Sequence, residues 1–291
     1  MKKLSLKLAL SIISAALLTG CSVEVNVNSD KKYDEKFTET KHFELDDPTD
    51  YSSVDISLKT GGITVKHTDE KTPFIDLECR VFGKSQNTCQ EVSNHITSVC
   101  RQKDGVMQIS IVEKVSGKDI DEWIEDNDEE CRVEIDAVLN VPSKIDKIDA
   151  DVEMGNITLK DIAGNMNAYV NVGNITCSGT AFTSDSYIEC NTGNITSSSC
   201  ICNALTMFKA DTGNIDFGLP AEGSDKGEFA VLVNTGTIDI REASAYKIQK
   251  GDPKKGGVTM KASGCTVTAD VRSGKINMDS KENTECSTTT R

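Results

Sequence analysis

Between residues 143 and 280 the apolar residues fall at every second position on either side of a recurring glycine. Taking each glycine as zero, the chain reads GNITL at 155, GNITC at 173, GNITS at 193, GNIDF at 213, GTIDI at 236, GGVTM at 256 and GKINM at 274. Position +2 is Ile157, Ile175, Ile195, Ile215, Ile238, Val258 and Ile276. Position +4 is Leu159, Cys177, Phe217, Ile240, Met260 and Met278, with Ser197 as the exception. Upstream, positions −5 and −3 carry Ala150 and Val152, Ala168 and Val170, Ile188 and Cys190, Phe208 and Ala210, Val231 and Val233, Ala269 and Val271. Only the copy ending at Gly256 breaks this, with Gly251 and Pro253 in those places. A period of two predicts strands and excludes a helix, so each copy is two short strands meeting at a tight corner.

The corners at Gly155, Gly173, Gly193, Gly213, Gly236, Gly256 and Gly274 are spaced by 18, 20, 20, 23, 20 and 18 residues. A period near twenty, in units too small to bury a core alone, is the signature of stacked repeats. The prediction for 143–280 is therefore a β-solenoid, parallel β-helix-like, of about seven short rungs. Stacking would place Asn156, Asn174, Asn194 and Asn214 in a structural ladder of side-chain amides. Position +3 gives an outward column of Thr158, Thr176, Thr196, Asp216, Asp239, Thr259 and Asn277, read as the solvated face of the strands. One Trp, five Tyr and eight Phe in 291 residues suit a thin core.

Region 42–142 has a different pattern. TGGITV at 60–65 is a further copy of the corner phrase, after which the period changes. FIDLECRVFG (74–83) places Ile75, Leu77, Cys79 and Val81 on one strand face. Residues 86–102 place Cys89, Val92, Ile96, Val99 and Cys100 on one helical stripe. Strands follow at 105–114 and 130–142, the second with Cys131, Val133, Ile135, Ala137, Leu139 and Val141 on one face. The expectation is a small α+β insert with one helix lying on a sheet. In it Cys79 would meet Cys100 and Cys89 would meet Cys131, because eleven helical residues span about 16 Å and keep Cys89 from Cys100. The stretch 119–130 carries eight acids and the one tryptophan, Trp123, and reads as a solvated loop, since its spacing is not that of a calcium-binding loop.

Composition sharpens the picture at the N-terminus. Lys2, Lys3 and Lys7 precede an apolar stretch at 8–18 that is too short to span a bilayer comfortably, so 1–20 reads as a signal peptide. Its end, LTGC (Leu18 to Cys21), resembles the lipobox of bacterial lipoproteins. That resemblance implies cleavage before Cys21 and a lipid on its sulfur; by composition, 21–41 reads as a polar tether and 281–291 as a polar tail. Cleavage removes three lysines and no acids, taking 32 basic residues to 29 against 46 acidic ones, a charge of −17. Such a surface gives nucleic acid nothing to bind. Eleven cysteines less the lipidated one leave ten, an even number that favours disulfides in an exported chain. Of the repeat-region cysteines, Cys265 with Cys286 is the one pairing favoured. With no Cys-x-x-Cys and three scattered histidines (His42, His67, His95), neither a metal site nor a cofactor is expected.

The early GGITV, the strand-helix-strand insert, the Val141-Pro142 step and the run of GNIT rungs together resemble the bacterial "putative adhesin" family, a domain of unknown function, over roughly residues 50–280. The resemblance implies a β-solenoid on an envelope protein, and some relatives are linked to envelope-stress signalling. It transfers no functional residue. The expected function is thus a non-catalytic binding module, lipid-anchored at the outer side of the cytoplasmic membrane or the cell surface, for an unidentified protein or glycan. The alternative is a structural or regulatory envelope-stress component acting through a membrane partner. A polysaccharide-degrading enzyme is a weaker reading. Asp216 and Asp239 share a column, but only Lys275 offers a basic partner, and no nucleophile-base arrangement or phosphate loop is present.

Overall fold

The computed structural model describes residues 33–45, 51–127, 130–220, 224, 227–241, 246–262 and 265–278. The expected signal peptide, Cys21, Cys286 and the expected polar tail lie outside these residues. The first strand, β1 (Glu35–Glu44), already takes up the last part of the segment read as a tether through residue 41, pairing antiparallel with β3 (Phe74–Gly83). Between them β2 (Ser53–His67) runs as one long strand bent at Gly61. Next come helix α1 (Gln86–His95), β4 (Ile96–Lys103), β5 (Val106–Glu113), helix α2 (Ile120–Asp126) and β6 (Arg132–Val141).

The repeats form long bent strands, β7 (Lys147–Lys160), β8 (Ala163–Ser178), β10 (Ser186–Ser198), β12 (Leu205–Gly218) and β13 (Glu228–Arg241), with β9 (Ala181–Phe182) and β11 (Ile201–Cys202) on the return legs. The chain closes with β14 (Tyr246–Asp252), β15 (Gly257–Ala262) and β16 (Cys265–Met278). The protein is mainly β, and one large mixed sheet of order β1-β3-β6-β2-β7-β8-β10-β12-β13-β16-β15-β14 dominates it. Pairing is parallel from β6 to β16 and antiparallel at both ends. The sheet is open, ending in β1 and β14. On the return legs Ala181 N donates to Ile162 O (2.8 Å) and Ile201 N to Thr180 O (2.9 Å), so those legs are hydrogen-bonded level to level as well.

Register explains why the corner phrase recurs. Gly61 faces Gly155, and the column continues through Gly173, Gly193, Gly213, Gly236 and Gly274, each at the same level of its strand. All seven have φ between 130° and 148°, a region closed to side chains. Two expectations change here. Gly61, ninety-four residues upstream of Gly155, belongs to the column because β2 pairs directly with β7. Gly256 does not belong. Pro253 cannot donate to a ladder and starts a 3-10 turn (Pro253–Lys255), leaving Gly256 at φ 85° beyond it. β14 and β15 form an antiparallel pair on the edge, and Gly236 faces Gly274 instead.

Between the strands and the return legs lies a continuous apolar core. Ile157, Ile175, Ile195, Ile215 and Ile238 are fully buried, as the +2 column requires. Phe182, Phe208, Phe217 and Phe229 cluster with ring centroids 5.1 to 6.1 Å apart, mostly edge to face, the preferred aromatic geometry.

The insert departs from its expected form. α1 starts at a Ser85 cap, whose Oγ accepts from Thr88 N (3.2 Å), but ends at His95 and not at 102. The β-branched residues Ile96, Thr97 and Val99 favour a strand and form β4 there. Lys41 Nζ closes the helix end by donating to Ser93 O and Ile96 O (2.5 and 2.9 Å). The acidic stretch is likewise helical in part, as α2. Asp119 caps it by accepting from Asp121 N and Glu122 N, and those two acids sit in the first turn, where the helix dipole favours them.

His95 fastens α2 to the insert by stacking on Trp123 (4.7 Å, 20°) while its Nδ1 bonds the buried carboxylate of Glu113 at 2.7 Å. A carboxylate only accepts, so Nδ1 carries the proton. Burial alone would raise the Glu113 pKa, but donation from His95 and from the Ser116 N–H and O–H holds it at about 2, below the ordinary 4.5. A depressed carboxyl adds stability that is complete above its unfolded pKa and is lost as pH falls from there through the folded value. Glu113→Gln should therefore flatten the loss of melting temperature between pH 7 and pH 3. Equal losses in the two proteins would contradict this assignment.

Candidate binding groove

Because β7, β8, β10, β12, β13 and β16 carry their corner glycine at the same level, the residues around the corner line one shallow groove across these strands. It has a volume of about 1290 Å³ and a floor of Asn, Thr and Gly. The amide ladder runs along it. Asn174 Nδ2 donates to Asn156 Oδ1 (2.9 Å), Asn194 Nδ2 to Asn174 Oδ1 (3.0 Å) and Asn214 Nδ2 to Asn194 Oδ1 (3.2 Å), and Thr237 Oγ1 ends the series on Asn214 Oδ1 (2.5 Å). These amides spend their donors on one another, which is a structural use. The +3 hydroxyls of Thr158, Thr176 and Thr196 stand beside them in register.

Charge enters toward the C-terminal strands of the groove. Asp216 faces Asp239, which faces Asn277. Arg241 Nε lies 2.7 Å from Asp216 Oδ1, and Asn277 Nδ2 donates to Asp239 Oδ1 (2.5 Å). Lys275 lines the same end. Sequence reasoning missed Arg241, because it sits at +5, one step outside the alternating columns. The Asp216–Arg241 pair is its signal in the fold. Thr259, expected in this column, lies instead on the antiparallel edge strand β15.

The outer face of the half-strands before the corner is different. Asp55, Asp149 and Asp151 share it with Tyr169, Tyr187 and Glu189. Burial, and then the neighbouring carboxylates, raise the pKa of Asp55 and of Asp151. Asp149 is held by Lys147 (2.7 Å) and accepts from Asn167 (2.6 Å).

The cysteines fall out as follows. No disulfide is formed among the described residues. Cys79 is buried in β3, its thiol pushed up to about 11 by burial, and lies opposite Ile135 and Glu39. Cys100 lies on β4 opposite Ile109, so the longer helix on which the expected Cys79–Cys100 pairing rests is replaced by a strand there. Cys89 and Cys131 do converge. Their sulfurs flank Gly83, at 3.0 and 2.9 Å from where a Cβ on that glycine would stand. Cys265 lies against Cys202, and its expected partner Cys286 is outside the described residues. Among the described residues no cluster of three or more His, Cys, Asp or Glu is placed to hold a metal, and no helix is long and apolar enough to cross a membrane.

No protein-family model matches the chain, and no curated protein matches it. Solved structures similar to it include a "putative adhesin" from Bacteroides fragilis at 12% identity, covering 83% of this chain and 96% of that one with a TM-score of 0.39. Another is a "putative cell adhesion protein" from Clostridium sporogenes at 11% identity, covering 84% and 99% with a TM-score of 0.33. A third is a "putative lipid binding protein" from Parabacteroides distasonis at 13% identity, covering 84% and 97% with a TM-score of 0.25. At identities and TM-scores this low the likenesses carry no functional argument.

Proposed function

We propose that the chain is a non-catalytic binding module of the bacterial envelope, held at a membrane by lipid on Cys21, whose rungs wind as a β-solenoid and offer the corner groove to a protein or glycan. The observation that carries this is the groove itself, continuous over the parallel rungs. At about 1290 Å³ it exceeds the roughly 300–1,000 Å³ of small-ligand pockets and suits a chain-like partner. Its carboxylates support binding over hydrolysis, since Asp216 is engaged by Arg241 and Asp239 by Asn277, leaving neither poised as acid or base. The acidic body and the residues before β1 suit a domain held off an anionic membrane surface.

The test is a screen of envelope glycans, envelope proteins and matrix proteins for saturable binding, comparing the native chain with Thr176→Arg/Thr196→Arg. Both positions face outward, so the melting temperature should move by no more than about 3 °C. Affinity should fall at least about tenfold, as expected when two bulky side chains fill the floor of the groove against a bound partner. Binding that survives both substitutions would move the site off this face, and no saturable binding to any of these would remove the proposal.

A further inference from the structure

Cys202 on β11 and Cys265 at the start of β16 are 63 residues apart, and both are fully buried. The Cys265 thiol donates to Cys202 O at 3.1 Å, and the Cys202 thiol donates to Ala204 O at 3.3 Å. They do not occupy adjacent levels of the stack. Glu228 N donates to Ala204 O and Thr266 N to Gly227 O, each at 3.1 Å, so Gly227 stands in the level between them. A Cβ there would fall 2.4 Å from Cys202 Sγ and 2.6 Å from Cys202 O. The φ of Gly227 lies outside the left-handed region, so what this position demands is space. The missing side chain is the window through which Cys265 reaches past one level to Cys202. Cys190 and Cys200 likewise donate to backbone, to Gly173 O (3.4 Å) and to Cys177 O (3.6 Å).

We propose that Cys202 and Cys265 are an oxidative cross-linking site whose disulfide fastens the last parallel strand to the return leg two levels away. Two thiols lose two protons and two electrons to form the S–S bond. A disulfide-bearing oxidant, either a dithiol oxidoreductase or oxidised glutathione, takes them up as its own S–S bond breaks into two thiols. Burial holds the Cys202 thiol neutral in the folded protein, and the thiolate is the attacking species, so the bond closes while β16 is docking. In the cell this needs an oxidising compartment, which the proposed envelope location supplies. The experiment below does not depend on that location.

The full chain is unfolded, reduced and refolded in a reduced and oxidised glutathione buffer, then blocked by alkylation and digested without reductant for mass spectrometry. The expected product is a peptide joining Cys202 to Cys265. Recovery of Cys265 alkylated, or joined to Cys200 or Cys286, would overturn the proposal. A disulfide closing so long a loop should make reduction lower the melting temperature by about 10 °C. Cys265→Ser should lose most of that reductant-dependent drop, and an undiminished drop would count equally against the cross-link. Should that variant not fold, the peptide map of the native chain decides alone.

Discussion

Gly193→Ala is expected to lower the melting temperature by at least about 10 °C, since one positive-φ clash in this backbone costs about 4 kcal/mol or more. Two effects add. At φ 143° an alanine occupies a region essentially reserved for glycine. Its Cβ would also lie 1.6 Å from Gly173 O, about the length of a covalent bond and far inside van der Waals contact, against a neighbouring backbone that cannot rotate away. Relief requires the strand to shift, and that shift breaks register with Gly173 on one side and Gly213 on the other. The variant would be followed by circular dichroism on heating. A drop under about 3 °C would mean that the column is not packed backbone to backbone. Gly105→Ala is the control. It also has positive φ (79°) but nothing lies within 4 Å of its Cβ, so it should cost only the conformational part.

The same columns show what was legible before the fold was in hand. Period-two alternation around a glycine is set by strand geometry, so the corners from Gly155 to Gly236, together with Gly274, could be read directly from the chain. Gly61 could be recognised as a copy but not placed, because pairing between β2 and β7 spans the whole insert and leaves no local trace. Gly256 imitated a corner through GGVTM alone, while Gly251 and Pro253 upstream already argued against a ladder. In the insert the stripe at Cys89, Val92, Ile96 and Val99 fits a helix and half-fits a strand. The β-branched Ile96, Thr97 and Val99 decided the second half, and the placement of Cys100 went with them. For the groove, the outward Thr and Asp column was visible, whereas its concavity depends on every strand bending at one level. Arg241 was missed for a related reason, since the contact of a +5 side chain with Asp216 depends on the stagger between neighbouring strands.

Ile195→Asp should be the most damaging single substitution at an inward position, because it removes a fully buried side chain and leaves a carboxylate with no partner. Losing the Ile side chain alone costs about 2–5 kcal/mol, and an unpaired buried charge adds several more. The residue lies between Ile175 and Ile215 on adjacent strands, both fully buried, and among the described residues no basic side chain lies in register with it. Protonation would spare part of the penalty by neutralising the carboxyl, so the damage should be greatest at neutral pH and smaller near pH 4. The expected result is loss of a cooperative transition at pH 7, or a drop of more than about 15 °C. Thr196→Ala, one residue along and facing the groove, should change stability by no more than about 1 kcal/mol. That contrast bears on the alternation itself. A slip of one residue would exchange the inward and outward sets, and the two variants would then trade their effects. The pair of measurements also separates the groove from the core, because a ligand bound through the outward column should lose affinity with Thr196→Ala while stability stays put, whereas Ile195→Asp should abolish both together.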